Sequence, residues 1–189
     1  MTSKFAAAIA GKLAHRPVIA SLYGLEMLHP FLDSRAEIAL GANVALSEVN
    51  QLIAECSAAA RFLFINVDNC AGLAPDRRGV DHLSRLGAVG VLSTKSAVIQ
   101  HANSLGMVTM QKIFVTDRST LPRSINSIRQ SRPHLTQLMP WPVLPRLPGP
   151  VLEQLGLFVA AGFVQTRADI EGALACGAVA VSTSDATLW

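Results

Sequence analysis

Short, nearly unbroken apolar runs recur along the chain, each followed by a segment whose apolar residues return at three- and four-residue steps. The runs are Val18–Ser21, Asn43–Ser47, Phe62–Val67, Val89–Ser93, Val108–Gln111, Leu135–Leu138, Leu157–Ala161 and Ala178–Ser182. Their lack of polar alternation predicts strands buried on both faces of a parallel sheet. Between them, Val49, Leu52, Ile53 and Cys56 form a helical stripe. Val98, Ala102 and Leu105 form a second, stopped by Gly106. Leu121, Ile125 and Ile128 form a third, with Ser119 or Thr120 as N-cap and Pro122 in the first turn. Thr166 and Asp169 read as a capping box ahead of Ile170 and Leu174, and Gly177 closes that helix. Before the first run, Phe5, Ile9 and Leu13 predict a short helix packed against the domain.

Alternation of strand and helix without successive hairpins defines an α/β protein with parallel strands. Eight strands make a closed, TIM-type (β/α)8 barrel the leading architecture, with a doubly wound open sheet as the alternative. At 189 residues the chain is short for a barrel, which typically needs about 250, so its loops must be minimal. One domain is expected over residues 1–189, with 1–16 as an N-terminal helix or extension. The Pro-rich stretch Pro140–Pro150 reads as a loop because the alternation resumes after it.

Composition narrows the class. Half the residues are hydrophobic and 15% are charged, which argues against disorder. The longest apolar stretch, Leu155–Val164, is broken by glycines and falls short of the roughly 20 residues a spanning helix needs, so no membrane association is expected. Cys56, Cys70 and Cys176 lack metal-type spacing and suit a reducing compartment. Phe5–Ala10 is too short for a secretory core, and a cytoplasmic location is expected. The five histidines are dispersed, so no metal is expected. There is also no Walker A sequence, nucleophile elbow or dinucleotide fingerprint, and no cofactor is expected.

Barrel chemistry concentrates where strands end and helices begin. The ends of the seventh and eighth strands supply Ala161-Gly162 and Ser182-Thr183-Ser184, a glycine turn and hydroxyls suited to phosphate oxygens. Lys95 and Lys112, after the fourth and fifth strands, add positive charge for pairing an anion; a desolvated lysine could alternatively form a Schiff base. Asp68 and Glu48 are acceptors for the hydroxyls of a small polyol or a general acid–base pair. Glu48 also fits a helix-start carboxylate. From Lys112 to Arg132 five basic residues face one acid, and Arg118, Arg123, Arg129 and Arg132 could track a phosphate backbone. Such runs also occur as solvated helix faces, and Phe114 is the only aromatic in the segment.

Read in order, the strand-end segments resemble the glycerol-3-phosphate-responsive antiterminator family, regulators of bacterial glycerol uptake operons. The resemblance runs from Arg16-Pro17-Val18-Ile19 to Trp189. It is strongest in Gly90–Ser96, in Gln111–Asp117, and in Thr166 through Ser184, ending in Leu188-Trp189. It implies a compact barrel that senses glycerol 3-phosphate and acts on leader mRNA, a regulator without catalysis. On that reading Ala161, Gly162, Ser182 and Thr183 cradle phosphate, Lys112 and Lys95 supply charge, and Asp68 and Glu48 meet hydroxyls. RNA falls to the arginines from Arg118 to Arg132, and a homodimer is compatible with the pattern.

The sequence departs from that pattern at the expected ligand mouth. The family's Ala-Gly-Gly becomes Ala160-Ala161-Gly162 followed by Phe163, and Leu-Pro-Gly becomes Met139-Pro140-Trp141. Its His-Ala-Asp becomes Asn66-Val67-Asp68, and the arginine after Gln111 is Lys112. Trp141 is expected to narrow the mouth or stack on a ligand. Two other readings remain: a phosphosugar-handling barrel enzyme using Lys95 or Lys112 with Asp68, and a diverged paralogue that senses nothing.

Overall fold

In the computed structural model, which describes residues 4–189 and the side chains from residue 8 onward, eight parallel strands close into a barrel. They are β1 (Val18–Leu22), β2 (Ile38–Gly41), β3 (Phe62–Asn66), β4 (Gly90–Ser93), β5 (Val108–Phe114), β6 (Leu135–Met139), β7 (Phe158–Ala161) and β8 (Ala180–Thr183). Each pairs with its sequence neighbours, and β1 closes on β8 through Val18↔Val181, Ile19↔Ser182 and Ala20↔Thr183. That closure excludes the open sheet.

The second strand lies earlier in the chain than the sequence pattern suggested. Ile38–Gly41 is buried throughout and pairs with both β1 and β3, whereas Asn43 is exposed and breaks the run. Val44–Ala45 makes only a two-residue pairing with Cys70–Ala71 outside the barrel. The remainder of the predicted strand opens the next helix.

Alternation along each strand sorts two apolar sets. Ile19, Leu40, Phe64, Leu92, Met110, Leu135, Val159 and Ala180 share the interior cluster. The intervening residues pack outward on helices α2 (Leu28–Asp33), α3 (Leu46–Ala58), α4 (Arg77–Arg85), α5 (Ser96–Ser104), α6 (Leu121–Ser131), α7 (Gly149–Glu153) and α8 (Arg167–Ala175). Phe62 and Phe64 fill the barrel with ring centroids 4.9 Å apart. Gly90 makes room for them, since a Cβ there would lie 2.6 Å from the Phe62 ring. The N-terminal helix α1 (Lys4–His15) brings Ile9 and Leu13, each 2% exposed, into the interior cluster. The side chain of Phe5, assigned to the same stripe, lies outside the described residues.

The helical stripes form as patterned, with Val49, Leu52 and Cys56 buried on α3, Val98 and Ala102 on α5, and Leu121, Ile125 and Ile128 on α6. Thr166 and Asp169 make the capping box of α8. Leu105 falls just past α5 and stays exposed. Among the described residues no helix is long and apolar enough to cross a membrane.

Candidate functional site

Parallel closure sends all eight strands out of the same end of the barrel. The uppermost inward-facing residues there are polar, with Lys112 on β5, Gln137 on β6, Ser182 on β8 and Ser21 on β1, or small, with Ala161 on β7. They line a cavity of about 230 Å³, together with Tyr23, Gly162, Phe163, Gln165 and Thr183.

Lys112 is partly buried, and among the described residues its ammonium makes no hydrogen bond or ion pair. Burial pushes its pKa below the ordinary lysine value, and the field of the Asp68 carboxylate opposes this less strongly. The Phe114 ring centroid lies 5.9 Å from its Nζ. A desolvated, unneutralised cation at the wall of a cavity favours an anion.

Directly across the β5–β6 pairing, Gln137 is the register partner of Lys112. It is 2% exposed and donates from Nε2 to Ser182 Oγ at 2.9 Å, while its Oε1 accepts no hydrogen bond. Sequence reading missed Gln137. The available signal was one amide at an inward position of an otherwise apolar strand end, where it must face the cavity.

Gly162 has φ +76°, and a Cβ there would sit 3.1 Å from Met139 Cε. Phe163 follows at φ +60° and is 72% exposed. The left-handed pair is thus Gly162-Phe163. The departure that matters to the backbone is Phe163, a bulky residue in a region that favours glycine.

The remaining predicted residues are placed differently. Thr183 lines the cavity, but its hydroxyl donates to Val164 O at 2.8 Å and accepts from Asp185 N. Asp68 lies in the short turn after β3, and the carboxylate accepts from Ser93 Oγ (2.6 Å), Thr94 N (2.6 Å) and Thr94 Oγ1 (2.8 Å). It clips β3 to β4 and does not line the cavity. Lys95 does not line the cavity, and its Nζ donates to Pro75 O at 3.0 Å. Glu48 stands in the first turn of α3 because β2 ends earlier than expected, and its carboxylate accepts from Ala45 N at 2.8 Å. Trp141 packs on Gly172 of α8 and donates to Phe163 O at 3.3 Å, so its indole supports the mouth from outside.

The four arginines of the basic segment are exposed but do not converge. Arg118 precedes α6 and Arg132 follows it, at opposite ends of a helix spanning about 15 Å. Arg129 bonds Gln154 Oε1 at 2.7 Å. A second basic region, invisible to a linear charge count, lines a groove of about 220 Å³ with Arg16, Arg35 and Arg167 around Trp189. No grouping of His, Cys, Asp and Glu suited to a metal occurs among the described residues.

An eight-stranded parallel barrel carrying a polar cavity and a partly buried lysine at its C-terminal mouth is a TIM-type barrel with its candidate site in the position usual for that fold. The chain belongs to the glycerol-3-phosphate responsive antiterminator family, whose pattern matches residues 18–189. It is similar to the uncharacterized protein YgcP of Escherichia coli (strain K12), at 24% identity over 94% of this chain and 93% of that one. Among solved structures it resembles the glycerol uptake operon antiterminator regulatory protein of Listeria monocytogenes (TM-score 0.84, 21% identity, covering 92% and 95% of the two chains). A glycerol uptake operon antiterminator-related protein of Thermotoga maritima is also similar (TM-score 0.79, 20% identity, 91% and 96%).

Proposed function

We propose that the protein is a cytoplasmic, non-catalytic regulator that binds glycerol 3-phosphate in the mouth cavity and leader mRNA of glycerol operons on its basic exterior. Lys112 carries the ligand half of this reading, as a desolvated ammonium without an ion-pair partner among the described residues, on a cavity of a size for a three-carbon phosphate. Gly162 and the end of β8 offer the phosphate backbone donors and the hydroxyls of Ser182 and Ser184, with Ala161 keeping the wall low. The RNA half is supported by family membership and by Arg123 and Arg129 exposed on α6, with Arg118 and Arg132 exposed beyond its two ends.

The test is calorimetry with glycerol 3-phosphate, followed by binding of a glycerol-operon leader transcript with and without it. Heat of binding and a ligand-dependent change in RNA affinity are expected. No heat and no thermal shift at millimolar ligand would leave a barrel that has lost sensing. A second reading rests on the same lysine, because an amine with a lowered pKa is a competent Schiff-base nucleophile. Borohydride trapping with triose phosphates separates the two: a covalent Lys112 adduct would favour the enzyme.

A further inference from the structure

Gln137 presents the feature at the mouth that the protein's own hydrogen bonding does not explain. Buried polar groups nearly always find a partner, and Asn66, Ser93 and Thr183 near this end of the barrel have theirs. Asn66 Nδ2 donates to Ala42 O, Ser93 Oγ to Asp68, and Thr183 Oγ1 to Val164 O. Gln137 Nε2 is likewise committed, to Ser182 Oγ, and this bond fixes the amide plane. Its Oε1 is left as a buried acceptor without a donor, in a residue that lines the same cavity as Lys112.

The two carboxylates that the sequence offers as hydroxyl acceptors are spent elsewhere, Asp68 on Ser93 and Thr94 and Glu48 on the start of α3. A neutral amide also suits this place better than a carboxylate, which would repel a phosphate dianion held by the neighbouring lysine.

We infer that Gln137 Oε1 accepts a hydrogen bond from a hydroxyl of the phosphorylated polyol, making Gln137 the residue that selects hydroxylated over deoxygenated phosphates. The inference rests on the ligand reading proposed above and adds to it the group that reads the polyol. A site built to bond a hydroxyl discriminates against the analogue lacking it, because the buried partner is then left unpaired.

The experiment is calorimetric titration of the full chain with glycerol 3-phosphate and with n-propyl phosphate, which keeps the phosphate and the three carbons but lacks both hydroxyls. Wild type is expected to prefer glycerol 3-phosphate by about tenfold or more. In Gln137→Leu that preference should fall toward one, with the affinity for n-propyl phosphate retained. Gln137→Glu, which keeps an acceptor oxygen, should preserve the preference while weakening both ligands; it also serves if the leucine variant fails to fold. Glycerol 3-phosphate binding with the preference intact in Gln137→Leu would overturn the inference and leave the ligand reading standing. Equal wild-type affinity for the two phosphates would do the same, placing water on Oε1. Loss of the preference in Gln137→Glu would put the amide nitrogen at the ligand and overturn it as well. Binding of neither phosphate by wild type would remove the ligand reading and this inference together.

Discussion

Lys112 is held in a position that costs stability and is useful only if an anion arrives. An unfolded lysine titrates near 10.4, and burial pushes the folded value below that. Between the two values the unfolded chain binds more protons than the folded one, so stability rises with pH across that window. The penalty is therefore fully present below the folded value. Replacing Lys112 with Met is expected to raise stability by about 0.5–2 kcal/mol in urea titration at pH 7, while glycerol 3-phosphate affinity falls at least tenfold (about 1.4 kcal/mol). In wild type, anion affinity should run opposite to stability and disappear as pH rises through the lowered pKa. At this scale the sequence was informative where a residue type announces its chemistry at a strand end. Lys112, Ala161, Gly162, Ser182 and Thr183 all line the cavity. Gln137 escaped because one amide in an apolar run carries no pattern, and its importance arises only when closure brings β6 and β8 to the same wall. Asp68 and Lys95 were misplaced because strand-end position does not say which way a side chain turns once Ser93, Thr94 or Pro75 O competes for it.

The strands and helices were largely legible, since a buried parallel strand and an amphipathic helix each write a period into the chain. The short helices α2, α4 and α7 escaped, the last beginning inside the stretch Pro140–Pro150 read as a loop, and β2 was misplaced between two short apolar runs separated by Asn43. Only the pairing of Ile38–Gly41 with strands on both sides decides between them. That shift turns Glu48 from a ligand-facing acceptor into a helix cap, which can be tested. Glu48→Ala is expected to cost about 1 kcal/mol of unfolding free energy, as loss of a cap does, and to leave glycerol 3-phosphate affinity unchanged. A second element-level consequence concerns the seam between β5 and β6. His134 Nδ1 accepts from Thr109 N at 3.2 Å, and burial pushes the imidazole pKa below its ordinary value. Here the unfolded chain protonates first as pH falls. Stability should thus be level above about pH 6.5 and decline through the window just below it, before the hydrogen-bonded carboxylates Asp117, Asp169 and Asp185 begin to protonate. Urea midpoints measured from pH 7.5 to 5 check this, and His134→Asn should remove the decline.

For the whole molecule, a net charge of +3 says little until the fold distributes it. Linear counting found the basic run ending at Arg132, but folding also assembles Arg16, Arg35 and Arg167, far apart in sequence, around one groove. Neutralising Arg118, Arg123 and Arg129 together is expected to weaken leader RNA binding. The slope of log affinity against log salt should become shallower by about 0.7 for each phosphate that no arginine neutralises any longer. If neutralising Arg16, Arg35 and Arg167 instead produces that change, the RNA face lies on the other side of the barrel.

The α6 assignment has a mechanical consequence that the groove lacks. β5 carries Lys112 inward and, one residue earlier, Gln111 outward. Gln111 Nε2 donates to Ser127 Oγ at 2.6 Å, and its Oε1 accepts from Ser131, both on α6. The strand that would respond to a bound anion is therefore pinned by a buried amide to the helix bearing Arg123 and Arg129. Packed elements shift as units, so a small displacement of β5 would be delivered to α6 through these bonds. Gln111→Met keeps most of the volume and removes both bonds. It is expected to leave glycerol 3-phosphate affinity within about twofold, since Gln111 faces away from the cavity. The difference in RNA affinity with and without ligand should shrink toward nothing. A variant that keeps the full ligand-dependent difference, measured on the same transcript and at the same salt, would show that the signal leaves the barrel by another strand.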